Sequence, residues 1–410
     1  MKRNCIIGQS GGPTAAINAS LAGVISEAIE TKQYEHIYGM INGIKGLLEL
    51  KYFDLMPKFN DSKNIELLKN SPAMYLGSCR FKLPKIEEDE QTYQNLFKIF
   101  NDLEITDFYY IGGNDSMDTV AKLAQYAKIN NSDIKFIGIP KTIDNDLMGT
   151  DHTPGFGSAA KYVATSMLEV AYDSSIYKLD SVTIVEIMGR NAGWLTAASA
   201  LARTNNSEGP DLIYLPEVPF IKENFLNDIR EVFKKKSNII IAVSEGIRDE
   251  TGEFLDNDSK YAKKDAFGHV LHSGTGKVLE SLVYNEFKCK VRSIELNVLQ
   301  RCAGHIASKT DIDESFNIGK YANKAANSGA TGVMMVFNRT STNPYTIECD
   351  YKDVSEIANL EQKIPVNWIN KAHNDITQEL YDYLYPLIQG EVYVEYKDGI
   401  PSYIDHDHLD

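Results

Sequence analysis

Short apolar runs without polar alternation recur along this chain, and most end in a glycine-rich or polar turn followed by a segment of helical period. Cys5-Ile6-Ile7 leads into Gly8-Gln9-Ser10-Gly11-Gly12-Pro13-Thr14, after which Ile17, Leu21, Val24, Ile25 and Ala28 fall on one helical face. The run 107–111 is followed by Gly112-Gly113-Asn114-Asp115-Ser116 and then by Met117, Val120, Ala121 and Ala124 on one face. The run 135–139 enters Pro140-Lys141-Thr142-Ile143-Asp144-Asn145-Asp146, and further runs occupy 182–188, 212–215, 238–243 and 332–337. A strand that is apolar on both sides must be covered on both, and intervening helices supply the cover and the crossover. The pattern predicts an α/β protein with mostly parallel sheets. There are too many runs for one sheet of usual size, and 410 residues suit two domains. The end of the chain differs: residues 391–404 alternate around Lys397-Asp398-Gly399, which predicts a hairpin or an edge pair. The polar stretch 248–264 reads as an exposed connection where the chain crosses between domains.

Charge and cysteine content narrow the function. A formal net charge of −15 opposes nucleic acid and anionic membrane as partners, so an anionic substrate would need cations gathered locally. Cys5, Cys79, Cys289, Cys302 and Cys349 are scattered without a CxxC pair, which indicates neither a zinc site nor a disulfide framework and suits a reducing cytoplasm. The first residues lack the apolar run of a signal peptide, and no stretch approaches the roughly 18 apolar residues of a membrane span. His152, His269, His272 and His305 form no close ligand pair and read as structural or exposed.

Three strand-end loops carry the chemistry, because ligands of open α/β sheets collect beyond the carboxyl ends of the strands. The paired glycines of 8–14 let backbone N–H groups approach a phosphate ahead of a helix N-terminus, although a bare βα turn would look the same. The second loop repeats the glycine pair and adds the amide of Asn114 and the carboxylate of Asp115. Their oxygens could hold Mg²⁺ directly or through water, while Asp115 or Ser116 could equally cap the helix. The third loop packs Lys141, Asp144 and Asp146 into six residues. That set suits phosphoryl transfer: one carboxylate takes a hydroxyl proton, one attends a metal, and the lysine neutralises moving charge. An internal salt bridge in a polar turn is the plainer alternative.

Taken together, and with Leu76-Gly77-Ser78-Cys79-Arg80-Phe81, Met188-Gly189-Arg190, Ser244-Glu245-Gly246-Ile247 and Leu299-Gln300-Arg301 following in order, the sequence resembles the phosphofructokinases over roughly residues 5 to 340. The resemblance implies two Rossmann-like, three-layer αβα domains with the active site in the cleft between them. It implies a phosphoryl-donor domain of 1–145 plus roughly 250–310, and a sugar-phosphate domain of roughly 146–249 plus 311–410. It also implies Mg²⁺ as cofactor, fructose 6-phosphate as acceptor and a homo-oligomer, dimer or tetramer. Residue by residue, Asp144 matches the general base, with Asp146 as its partner near the metal. Thr142, Met188, Gly189, Glu245 and Arg301 match sugar-phosphate contacts, and Arg190 is placed for the transferring phosphoryl. Gly11, Gly12, Arg80 and Gly113 match the phosphoryl-donor side. The chain after about residue 340 carries no motif of this kind.

Two positions bear on the phosphoryl donor. ATP-using members resemble GGDGS and GTIDND, with glycine where this chain has Asp115 and Lys141; pyrophosphate-using members resemble GGDDS and KTIDND. A carboxylate at 115 would stand where a nucleotide's α-phosphate must pass, and two unit charges about 4 Å apart repel by roughly 4 kcal/mol at intermediate dielectric. Pyrophosphate lacks that portion, and Lys141 offers it a compact positive charge. The resemblance therefore implies pyrophosphate. An ATP-dependent enzyme and a non-catalytic sugar-phosphate-binding subunit are the alternatives. Two departures stand out: Asn114 replaces the family's metal-binding Asp, and Asp180-Ser181 stand where some relatives place a cross-subunit arginine.

Overall fold

The structure, a computed structural model, describes residues 3–176, 178–204, 207, 209–255, 263, 264, 270, 271 and 274–409. The strands in chain order are β1 (Asn4–Gln9), β2 (His36–Met40), β3 (Tyr52–Asp54), β4 (Ile105–Gly112), β5 (Lys135–Pro140), β6 (Ser181–Ile187), β7 (Leu212–Tyr214), β8 (Asn238–Ser244), β9 (Lys263–Lys264), β10 (Val270–Leu271), β11 (Lys290–Glu295), β12 (Val333–Thr342), β13 (Tyr345–Asp353), β14 (Tyr396–Lys397) and β15 (Ile400–Pro401). Two sheets carry the architecture: a seven-stranded one ordered β13-β12-β5-β4-β1-β2-β3 and a four-stranded one ordered β11-β6-β8-β7. The second is parallel throughout, while the first is parallel except where β3 and β13 close its edges antiparallel.

The lack of alternation in the apolar runs has its reason in the layers. In the first sheet Ile7, Tyr109, Ile111, Ile137 and Ile139 pack beneath the helices Ile17–Thr31 and Lys309–Asn327, while Ile6, Phe108, Tyr110 and Phe136 face the helices Glu90–Asp102 and Asn114–Ile129. In the second, Val185, Ile187 and Ala242 face one core and Ile184, Ile241 and Val243 the other. Both sheets are covered on both sides, as the three-layer expectation requires. The hairpin near the end also forms: β14 pairs antiparallel with β15 across Asp398 and Gly399, both at positive φ.

The sheets divide the chain differently from the expected return segments. Residues 290–295, placed with the first domain from sequence, pair in full register with β6 of the second sheet, and residues 333–353, placed with the second domain, join the first sheet through β12 and β5. The agent of that return is the helix Lys309–Asn327, capped by the Ser308 hydroxyl and packed on Ile17–Thr31. The two helices touch backbone to backbone: a Cβ on Gly23 would lie 2.0 Å from the Phe316 carbonyl oxygen, and one on Gly319 would lie 2.2 Å from that of Ser20. Of the expected exposed connection, residues 248–255 form a short turn bridged between Arg248 and Phe254, and 256–262 lie outside the described residues. His269 and His272 lie outside them as well. All five cysteines are free, and no helix among the described residues is long and apolar enough to cross a membrane.

Candidate active site

The carboxyl ends of β1, β4 and β5 face those of β6 and β8 across a cleft of about 660 Å³. The first wall is built from the three glycine- and carboxylate-bearing loops. Gly11 takes φ 85°, and a Cβ there would lie 3.1 Å from the Lys141 Nζ, so the position needs glycine for its backbone and for the approach of the lysine. Lys141 is 2% exposed and donates to the Gly12 carbonyl at 2.6 Å. Burial pulls its pKa down to about 7, against the upward pull of Asp144.

Asn114 and Asp115 open the helix Asn114–Ile129 behind Gly113. Neither Asp115 nor Ser116 caps that helix through its side chain, which leaves the exposed Asp115 carboxylate on the cleft wall. The Asn114 Oδ1 is buried without a hydrogen-bond partner, and its amide nitrogen makes only a 3.5 Å contact to the Leu360 carbonyl. In the third loop the Asp144 N–H donates to the Thr142 hydroxyl at 3.1 Å. Burial raises the pKa of Asp144, opposed by Lys141, Thr142 and Arg301. Burial, then Asp144 and Glu361, push Asp146 up to about 7. Asp146 does not line the cleft directly; it stands behind Asp144, its carbonyl accepting the Gln362 N–H at 2.7 Å.

The second wall carries the remaining candidates. Gly189 has φ 144°, its N–H donates to Glu245 Oε1 at 3.3 Å, and its carbonyl accepts from the Ser244 hydroxyl. The Met188 N–H donates to Gln300 Oε1 at 3.3 Å. Met188, Arg190 and Glu245 line the cleft, with Arg190 over the Phe254 ring at 5.7 Å. Arg301 reaches back to the first wall: its Nη1 is 3.4 Å from where a Cβ on Gly12 would stand, and its charge acts on both Lys141 and Asp144. It therefore sits where the walls meet. Arg80 lines the first wall in a loop tied to it by the Ser78 hydroxyl, which donates to the Gly11 carbonyl at 2.7 Å.

Sequence reasoning missed Glu361. An antiparallel bridge between Leu147 and Glu361 brings it beside the third loop, where its charge acts on Asp144 and Asp146 and its Oε1 accepts from Asn191 at 3.0 Å. No local motif surrounds it. Its position is set by chain return alone.

Two three-layer α/β domains enclosing glycine loops, a buried lysine and a carboxylate pair define a two-domain α/β kinase architecture. The phosphofructokinase family model matches residues 4–319, and the chain belongs to the phosphofructokinase family. It is 39% identical over 404 residues to the pyrophosphate–fructose 6-phosphate 1-phosphotransferase of Xanthomonas campestris pv. campestris, covering 98% of this chain and 95% of that protein. It is 33% identical over 383 residues to the sulfofructose kinase of Alkalicoccus urumqiensis, covering 92% and 95%. The crystal structure of the pyrophosphate-dependent phosphofructokinase from Nitrosospira multiformis superposes with a TM-score of 0.88 at 37% identity, over 98% of this chain and 95% of that one.

Proposed function

We propose that the chain transfers a phosphoryl group from pyrophosphate to the 1-hydroxyl of fructose 6-phosphate, giving fructose 1,6-bisphosphate and phosphate, reversibly and with Mg²⁺. The observation that carries the choice of pyrophosphate is the buried Lys141 beneath Gly11 and Gly12, on the same wall as the uncapped Asp115 carboxylate. That wall offers a positive charge to a compact diphosphate and a negative one to the path of a nucleotide. The first sheet serves the phosphoryl donor and the second the sugar phosphate.

In this reading Asp144 accepts the proton of the 1-hydroxyl as the sugar oxygen bonds to phosphorus and the bond to the leaving phosphate breaks. Its raised pKa makes it a stronger base than an ordinary carboxylate. Lys141 neutralises charge on the leaving phosphate, Arg190 steadies the transferring group, and Arg301 holds the 6-phosphate of the sugar. Thr142, Met188, Gly189 and Glu245 seat the sugar. Gly11, Gly12, Gly113 and Arg80 bring backbone N–H groups and a guanidinium to the pyrophosphate. The residues present fit a hydrated Mg²⁺: the Asn114 carbonyl oxygen lacks a partner, and no group of three or more His, Cys, Asp or Glu among the described residues makes a closed metal cage. Mg²⁺ commonly keeps its waters and takes one or two protein oxygens plus substrate phosphates. Asn114 would hold it, with Asp146 contributing charge from behind Asp144, and it would supply charge neutralisation at the phosphate oxygens. The five free cysteines suit a reducing cytoplasm, and the family resemblance carries the homo-oligomer.

Initial rates with pyrophosphate alone and ATP alone test the proposal. Turnover with pyrophosphate is expected, and Asp115→Gly combined with Lys141→Gly should move preference toward ATP. Brisk turnover with ATP and none with pyrophosphate would overturn the choice of phosphoryl donor. The relationship to a sulfofructose kinase gives a second acceptor worth assaying, with sulfofructose in place of fructose 6-phosphate.

A further inference from the structure

Between the two carboxylates of the third loop stands Asn145, 1% exposed and in the left-handed region at φ 55°. Its side chain holds it there. Oδ1 accepts from the Thr153 N–H at 3.0 Å, and Nδ2 donates to the Tyr383 hydroxyl oxygen at 2.9 Å. That hydroxyl in turn donates to the Asp151 carbonyl at 2.7 Å. Tyr383 is thus hydrogen-bonded at both ends of the loop that follows β5. It comes from the helix Gln378–Leu384, beyond the family match that ends at residue 319.

The ring of Tyr383 is fixed as firmly as its hydroxyl. Arg339, on β12 of the first sheet, lies over it at 4.5 Å. The ring of Trp194, which opens the helix after the Met188–Arg190 segment of the second sheet, is 5.3 Å away, and that of Trp368 is 5.5 Å away. Trp194 Nε1 donates to the Gln362 carbonyl at 3.0 Å, and the Gln362 N–H holds the Asp146 carbonyl. One aromatic group therefore touches both walls of the cleft and ends on the residue that separates Asp144 from Asp146.

We infer that Tyr383 is a positioning residue for phosphoryl transfer: through Asn145 it sets where the Asp144 and Asp146 carboxylates point, and it couples that setting to the sugar-binding wall through Trp194. The inference rests on the reading of those carboxylates given above. Tyr383 touches no reacting atom, so its loss should appear in turnover and not in ground-state binding.

The test uses the full chain with pyrophosphate, fructose 6-phosphate and Mg²⁺. Tyr383→Phe keeps the ring and removes the hydroxyl; kcat should fall about 10- to 100-fold, the scale on which small misplacements of reacting groups act. Both KM values should move less than about 3-fold. Asn145→Gly, which tolerates the positive φ, breaks the same bond from the other side and should fall by a similar factor. The double variant should fall no further, since the two residues act as one unit. An unchanged kcat for Tyr383→Phe, or losses that multiply in the double variant, overturns the inference. Should Tyr383→Phe fold poorly, Asn145→Gly takes its place: a fall in kcat without a change in KM supports the inference, and an unchanged kcat ends it. Hydrogen exchange separates the two readings. The segment 141–147 should exchange faster in Tyr383→Phe while Ile17–Thr31 does not. Unchanged exchange overturns the inference whatever the activity, whereas an unmodified chain that turns over with no phosphoryl donor breaks only the functional reading.

Discussion

Two clusters of buried charge follow one another along the chain, and their electrostatics run in opposite directions. Lys141, Asp144 and Asp146 line or back the cleft with both carboxylates raised and the ammonium lowered, so burial disfavours every charge the cluster carries. His152, a few residues on, is 2% exposed between Asp151 and Glu314, each 2.8 Å from a ring nitrogen. Burial alone would lower its pKa, but Glu314 and Asp151 carry it to about 9, and Asp151 is held below the usual range by His152 and Arg339 despite its own burial. The same ingredients, two carboxylates and cations under cover, give a strained set in one place and a satisfied set in the other. The difference is partners: Arg339 donates to Asp151 and the Tyr345 hydroxyl to Glu314, whereas Asp144 lines the open cleft and Asp146 stands behind it. Charges left without partners inside a protein are expensive, and they are kept where a ligand completes them.

That contrast can be broken by exchanging the readouts. Asp144→Asn should cut kcat by about 10²- to 10⁴-fold while leaving the melting temperature unchanged or higher, because it removes a carboxylate that burial disfavours. An active, destabilised variant would reverse the comparison. His152→Ala should do the opposite. Removing one partner of a buried ion cluster costs about 3–5 kcal/mol, measured as a lower denaturation midpoint, and kcat of the folded enzyme should stay within a few-fold of the parent.

The smallest effects are those of pH. Activity as kcat/KM should rise toward about pH 7 as the carboxylate pair loses its proton, and fall above it as Lys141 loses its charge, with apparent values that belong to the coupled set. Stability should run the other way around His152. Its folded pKa of about 9 lies above the ordinary 6.5, so its contribution is complete below pH 6.5 and disappears as pH rises through 9. The change is on the order of 3 kcal/mol and should vanish in His152→Ala. Denaturant titrations across that window measure it.

The difference between the clusters also marks what could be read in advance. Gly11, Lys141 and Asp144 were visible because strand-end loops write their chemistry in consecutive residues, and Arg190 through the family resemblance. The layers were visible because strands buried on both faces cannot alternate. Glu361, Gln362 and Tyr383 were not, since each reaches the site from far along the chain and is surrounded by no local pattern. The sheet that each return segment joins was hidden for a related reason. Residues 290–295 read as polar because β11 is an edge strand with much of its surface exposed, so no apolar run announced it as a member of the second sheet.

The return of β12 to the first sheet has a consequence for biosynthesis. Until Lys309–Asn327 has left the ribosome, the helix Ile17–Thr31 lacks the neighbour that its glycine was made to receive, and until Val333 follows, β5 carries a bare edge of backbone donors and acceptors. The first sheet is thus finished late in synthesis, and its open flank must be shielded while the residues between β5 and β12 are translated.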